Sequence, residues 1–437
     1  MWNYLRSYVI WLHEPEHVAR FQQYFGIVPK IDRPPDVIPT LNETNLNKNN
    51  NNNNNTDNTF SNDDNVQRNS NGKNSYDSNV LDECMNEIKH NAHQNKHSTT
   101  QNTYTKEHPS ELDYKITSWF WYYFFQFGAA LGNEIFYILF FPTWIWNVDG
   151  AVARKISILW AFFMYIGQAT KDILAIPRPA SPPVLKLEKR YVEEYGFPST
   201  HAMFAAGIPL SLVLLSIQRY DFNLWLGLSC AAIVCVWVCL SRIYLGMHTF
   251  LDIITGTLYA LLLVYIMFPY VDAIDNFQLN YSFSPILNFC IGIILIKCYP
   301  SLKQWSTARS DTTVILGSAF GLCSATTAMH QIGLLQRPLT PPIYAIIAPN
   351  LGLCIVRTII GMLFVYATRQ IVKTLVLRIT CAIYGLDWKN PETKRLAKVE
   401  MPYYYLTYYA IGFNISFICP LFFRAIGINR DYSYTEL

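Results

Sequence analysis

Hydrophobic and polar positions are segregated along this chain. Before about residue 112 almost every position is polar, except in residues 1–29, where aromatics and leucines recur at helical spacing with charges between them. After it come runs of about 17–25 apolar residues, the length that crosses a bilayer core. Nine such runs are visible, near 117–142, 152–172, 201–218, 223–241, 250–270, 284–300, 311–333, 343–367 and 401–424. No ten-residue alternation recurs, and an open sheet edge cannot survive in lipid, so the runs are expected to be helices. The predicted fold is all-α, a polytopic transmembrane helical bundle of about 8–10 spans.

The polar part divides further. Residues 1–29 lack the long apolar region and small-residue cleavage site of a signal peptide and read as an amphipathic interfacial or docking segment. Residues 30–112 are rich in Asn, Asp, Ser and Lys, with an asparagine tract around Asn49–Asn55. They carry too little apolar surface to offset chain entropy, so this insert is expected to be disordered. The membrane domain then occupies 113–425, and 426–437 form a C-terminal tail.

Composition agrees with this division. The chain is 51% hydrophobic and 15% charged, against about 25% charged in soluble domains. A net charge of +3, dispersed along 437 residues, gives no basis for nucleic-acid binding. Eight of the ten cysteines (Cys230, Cys235, Cys239, Cys290, Cys298, Cys323, Cys354 and Cys419) fall in apolar runs without CxxC spacing and read as buried thiols. His330 reads as structural. The histidines and Cys84 of the polar insert are too irregularly spaced for a metal site.

Three polar clusters interrupt the apolar region, and each lies at the end of a run: KDILAIPRP (Lys171 to Pro179), GFPSTHAM (Gly196 to Met203) and SRIYLGMHTFLD (Ser241 to Asp252). The first ends the second run, the next opens the third, and the last joins the fourth to the fifth. All three therefore emerge on one face of the membrane and can share one pocket. Lys171 and Arg178 offer a compact cation and a planar fork for phosphate oxygens. Ser199 and Thr200 precede a helix whose free N–H groups and dipole can receive an anion. His248 and Asp252 are four residues apart at a helix start, so the carboxylate can hold the imidazole tautomer and leave its other nitrogen free to attack. Arg242 lies six residues before His248, across the Gly246 turn.

The pattern K-x6-RP, PS-x-H and SR-x5-H-x3-D resembles the type-2 phosphatidic acid phosphatase superfamily, met by Lys171/Arg178/Pro179, Pro198/Ser199/His201 and Ser241/Arg242/His248/Asp252. Most relatives have glycine where this chain has Thr200. That departure, the stretch RPASPPVLKLEKRYVEEYGFPSTHAM and the late Gly412-Phe413-Asn414 resemble its sphingosine-1-phosphate phosphatase branch. The resemblance implies a helical core at about 150–270 and hydrolysis of long-chain sphingoid base phosphates through a phosphohistidine. It implies His248 as nucleophile, Asp252 as its orienting group and His201 as general acid and base. Lys171, Arg178, Ser199, Thr200 and Arg242 would bind phosphate. No metal or other cofactor is expected, because the cations supply the positive charge. Expected partners are the phosphorylated sphingoid substrate and membrane lipids.

Within the same superfamily the residues also fit a broader lipid phosphate or sugar-phosphate phosphatase, or a lipid phosphotransferase. A non-enzymatic anion transporter is the remote alternative; it calls for mid-span charges and repeat symmetry, which the sequence lacks. Glu188, Glu193 and Glu194 are expected on the pocket rim, where a sphingoid ammonium would find a partner. The resemblance implies an endoplasmic reticulum membrane with a lumenal site. Asn42-Glu43-Thr44 and Asn54-Asn55-Thr56 are glycosylation sequons compatible with a lumenal N-terminal tail. The basic connection from Arg369 to Lys398 falls on the same side, against the positive-inside tendency.

Overall fold

The computed structural model describes residues 2–30, 114–188, 194–300, 307–336 and 350–430; the expected disorder of 30–112 concerns residues almost wholly outside these. Two short helices open the chain, α1 (Trp2–His13) and α2 (Pro15–Tyr24). Strand β1 (Ile27–Pro29) pairs with β2 (Tyr114–Ile116). The membrane part then runs through α3 (Trp119–Leu131), α4 (Glu134–Asn147), α5 (Gly150–Leu174), α6 (Thr200–Ser216), α7 (Leu224–Tyr244) and α8 (Phe250–Asn280). It continues through α9 (Ser284–Cys298), α10 (Thr307–Gln331), α11 (Leu351–Tyr384), the short α12 (Pro391–Arg395), and α13 (Ala397–Phe413). A π-turn over Asn414–Ile418 leads from α13 into α14 (Cys419–Ala425).

Among the described residues six helical segments are long and apolar enough to cross a membrane: α5, α7, α8, α10, α11 and the run Ala397–Ala425. The bent pair α3/α4 makes a seventh, and α6 and α9 are shorter apolar helices. The chain is thus a multi-pass helical membrane protein, and each of the nine apolar runs contains helix. Two differ in form from the expectation. The run at 117–142 is not one straight element: α3 stops at Gly132, and Asn133 is extended (φ −92°, ψ 159°) before α4 begins. The run at 343–367 is part of a longer helix, since α11 continues to Tyr384 and stops where Gly385 takes a positive φ of 64°; residues 337–349 lie outside the described set.

Local chemistry sets the starts of the site helices. Asp149 caps α5, accepting from the backbone N–H of Ala151 (2.8 Å) and Val152 (3.0 Å). Thr249 and Asp252 form a reciprocal capping box at the start of α8. The core lies between α5, α6, α8 and α10, around Ile156, Phe163, Met203, Val264 and Leu316. Arg154 and Asp275, both buried, make a two-pronged pair of 2.5 and 2.8 Å that fixes α5 against α8. In the C-terminal half, α10 packs on α13 through glycines: a Cβ at Gly321 would meet the Tyr409 carbonyl at 2.1 Å. The nine described cysteines are all free, but Cys230, Cys290 and Cys298 are exposed rather than buried. Their helix faces point outward, where a small apolar thiol is at home against lipid.

Candidate active site

The three clusters converge at one end of α5, α6, α7 and α8. Lys171 sits in the last turn of α5 and Arg178 in the loop after it; both side chains are almost fully buried. Buried cations need counter-charge, and Glu194 supplies it. Its Oε2 accepts from Lys171 Nζ at 2.6 Å and lies 3.5 Å from Arg178 Nη2, while its Oε1 accepts from the Thr307 hydroxyl of α10. Burial alone would raise the Glu194 carboxyl, but Lys171 and Arg178 hold it below the usual range. Glu194 is 5% exposed, so it does not line a rim. Glu188 is likewise engaged, accepting from Arg242 Nη1 at 2.7 Å. Three clustered cations in a low-dielectric site draw the loop's acids inward. Glu193 lies outside the described residues.

Arg242 has a second anchor that the sequence did not disclose. Its Nη2 donates to the Ala129 carbonyl at 3.2 Å and to Asn133 Oδ1 at 2.9 Å, both at the break between α3 and α4. Gly132 permits that approach, since a Cβ there would stand 3.4 Å from Arg242 Nη2 and 3.3 Å from the His201 ring.

His248 is fully buried and lies just ahead of α8, before its N-cap Thr249. Arg178 Nη1 donates to the Met247 carbonyl (2.9 Å) and stands 3.3 Å from His248 Nε2. A guanidinium can only donate, so Nε2 is the accepting, unprotonated nitrogen and the ring proton belongs on Nδ1. Nδ1 faces Asp252 Oδ2 at 3.7 Å, ion-pair range but longer than a hydrogen bond. Burial pushes the His248 imidazole down to about 4, against an upward pull from Asp252. The ring is therefore neutral near pH 7.

Helix α6 starts beside this histidine. Ser199 caps it, accepting from the Ala202 N–H at 3.4 Å, and its own N–H donates to the Asp252 carbonyl at 3.1 Å. The two helix starts touch because residue 256 is glycine: a Cβ there would meet the Ser199 carbonyl at 2.5 Å. Thr200 and His201 follow in the first turn, and the rings of His201 and His248 lie 6.3 Å apart, centre to centre. His330 is elsewhere, at the far end of α10, bonded to the Leu335 carbonyl at 2.9 Å.

The N-terminal helix completes the frame. Gln22 of α2, 1% exposed, donates to the carbonyls of Leu185 (2.6 Å) and Tyr244 (2.9 Å) and accepts from the Leu185 N–H (3.0 Å). It ties the loop carrying Arg178 to the turn carrying His248. No motif marks a glutamine so distant in sequence.

A cavity of about 130 Å³ opens from the site, with Glu194, Thr200 and His201 at its polar end. The rest is mostly apolar and lies between α5 and the C-terminal helices α10, α11 and α13.

These features place the chain among known proteins. The PAP2 superfamily pattern matches residues 153–275. A sphingosine-1-phosphate phosphatase 1 of Rattus norvegicus is 43% identical over 313 residues, covering 70% of this chain and 73% of that one. The chain belongs to the sphingosine-1-phosphate phosphatase family of the PAP2 superfamily. The human sphingosine-1-phosphate phosphatase 2 is 37% identical over 326 residues, 72% of this chain and 80% of its own length. A dihydrosphingosine 1-phosphate phosphatase of Schizosaccharomyces pombe is 30% identical over 226 residues, about half of each chain (49% and 54%). No solved structure matches. As a member of this family the chain is a membrane-embedded phosphoric monoester hydrolase.

Proposed function

We propose that this phosphatase hydrolyses sphingosine 1-phosphate and related long-chain sphingoid base phosphates to the free base and inorganic phosphate, using the site built on His248. The observation that carries the reading is the placement of the His248 imidazole, with Nε2 turned toward Arg178 and Nδ1 toward Asp252. Nε2 attacks phosphorus, and the bond from phosphorus to the lipid oxygen breaks. His201 gives a proton to the departing alkoxide. His201 then takes a proton from water, whose oxygen attacks the phosphohistidine; the N–P bond breaks and phosphate leaves. Lys171, Arg178 and Arg242 hold the charge that develops on the equatorial oxygens, helped by Ser199 and Thr200 at the start of α6. Asp252 acts through the imidazole, keeping the proton on Nδ1.

The same reading places the protein in the endoplasmic reticulum membrane with its site toward the lumen. The sequons at Asn42 and Asn54 support that side. The basic stretch at the end of α11 opposes it, because the Arg309–Glu400 pair (2.8 Å) holds the next helix start at the site end of α10. Glycosidase treatment of the intact protein decides: a mobility shift fits the lumenal site, and an unshifted band with both sequons intact argues for the opposite face. Activity is tested by phosphate release from sphingosine 1-phosphate in detergent, expected from the wild type and lost in His248→Ala.

A further inference from the structure

The cavity behind the site is ordered along its length. Glu194 and His201 lie at its polar end, beside the phosphate-binding cations. It is then lined along α5 by Ser157, Trp160, Met164 and Gln168, and along α10 from Asp311 to Leu322. Each of these stretches spans twelve residues, so eleven rises of 1.5 Å take the cavity roughly 16 Å along the bundle. Its deep walls, including Ile315, Leu322, Ile411 and Ile415, are apolar. That is the shape of a chamber for one hydrocarbon tail, entered from the phosphate end.

Two acids line this cavity, Glu194 and Asp311. Glu194 is committed to Lys171, Arg178 and Thr307. Asp311 stands one helical turn deeper than Thr307, about 6 Å along α10 from the residue that binds Glu194. A carboxylate one turn into a membrane helix, facing a cavity, is costly unless it meets a cation. Arg369 faces the same cavity from α11, and a carboxylate has acceptor sites enough to serve a second cation. Going inward, the order is phosphate-binding cations, a carboxylate, then an apolar chamber. A sphingoid base phosphate has the matching order: phosphate, an ammonium two carbons from the ester oxygen, then a single long tail.

Resting on the function proposed above, we infer that Asp311 is the specificity residue that receives the substrate's ammonium group, with the tail lying in the chamber between α5, α10 and α13. The carboxylate rejects phosphates that lack the ammonium, because an acid lining an apolar cavity then keeps one partner fewer, and it rejects N-acylated substrates, which carry no charge there.

The test compares three substrates in detergent: sphingosine 1-phosphate, its N-acylated analogue, and a long-chain alkyl phosphate without the amine. The wild type is expected to prefer the first. In Asp311→Asn, which is nearly isosteric, the preference in kcat/KM should narrow on the order of 10- to 100-fold, chiefly through KM for the amine-bearing substrate. Asp311→Glu should restore most of it. If Asp311→Asn lowers all three substrates by one common factor, or keeps the wild-type preference, the inference is overturned while the function stands. A wild-type enzyme that does not hydrolyse sphingosine 1-phosphate overturns the function itself.

Discussion

Arg178 and His248 come from loops seventy residues apart, yet the guanidinium Nη1 lies 3.3 Å from the imidazole Nε2. One contact does two things: it fixes which ring nitrogen carries the proton, and it sets a cation beside the nitrogen that the proposed mechanism uses to attack phosphorus. From it follows the first prediction. His248→Ala should abolish turnover, while Asp252→Asn should leave more activity, because Nε2 survives and only the group behind it changes. Both side chains are buried, so thermal midpoints in detergent must accompany the rates. Equal losses in the two variants, at equal stability, would count against the assignment.

The pH dependence has a definite sign. A histidine whose folded pKa is lowered to about 4, below the unfolded value of about 6.5, stays neutral in mild acid. The folded state loses stability as pH falls through that window, since the unfolded chain binds the proton first. The nucleophile's own limb in kcat/KM should therefore lie nearer pH 4 than 6.5. The substrate's second ionisation, near 6 by analogy with phosphoserine, adds a limb common to all variants. Asp252→Asn removes an upward pull on His248 and should shift the histidine limb further down; an upward shift would refute the pairing.

Glu194 occupies the arms of the two cations, Lys171 and Arg178, to which the proposed mechanism assigns phosphate. In Glu194→Gln, anions no longer compete with a fixed carboxylate, so vanadate should inhibit more strongly. Folding should suffer at the same time, by about 3–5 kcal/mol, because buried Lys171 and Arg178 lose their partner. Vanadate titration together with thermal unfolding reads both effects. Unchanged vanadate inhibition would mean that the carboxylate lies off the phosphate path.

Chelation should leave activity intact, because fixed cations supply the charge that a metal would otherwise bring. Assays with and without EDTA check this, and an absolute magnesium requirement would contradict it.

Gln22 makes three buried hydrogen bonds across two motif loops. Gln22→Leu should lower kcat/KM by roughly 10-fold or more, the scale of leaving buried backbone groups unpaired. Gln22→Glu keeps the acceptor and should retain the Leu185 N–H contact. Wild-type kinetics for Gln22→Leu would show that the N-terminal helix is not part of the frame.

The sequence exposed the three clusters because polar residues at the ends of apolar runs stand out, and because their spacing fixes which side of the membrane they share. It also located the nine apolar elements. It did not reveal Glu194 as a counter-ion, since a glutamate in a loop of mixed charges reads as a solvated charge until burial is known. Asn133 and Gln22 were invisible, because their value lies in bonds to residues 109 and more than 160 positions away. Asp311 could have been noticed, as an acid opening an otherwise apolar run, but only the cavity connects it to the site. The break at Gly132 escaped notice because Gly132, Asn133 and Glu134 are only a three-residue interruption between two apolar stretches.

The central claim is that His248 carries the phosphoryl group, and the direct test is to trap it. Enzyme mixed with sphingosine 1-phosphate bearing isotopically labelled phosphate, then quenched in alkali, should hold acid-labile, base-stable label in the peptide containing His248. His201→Ala should accumulate more of it, since water activation is slowed, and His248→Ala should hold none. Label that persists in His248→Ala, or that is found on another residue, would contradict the account.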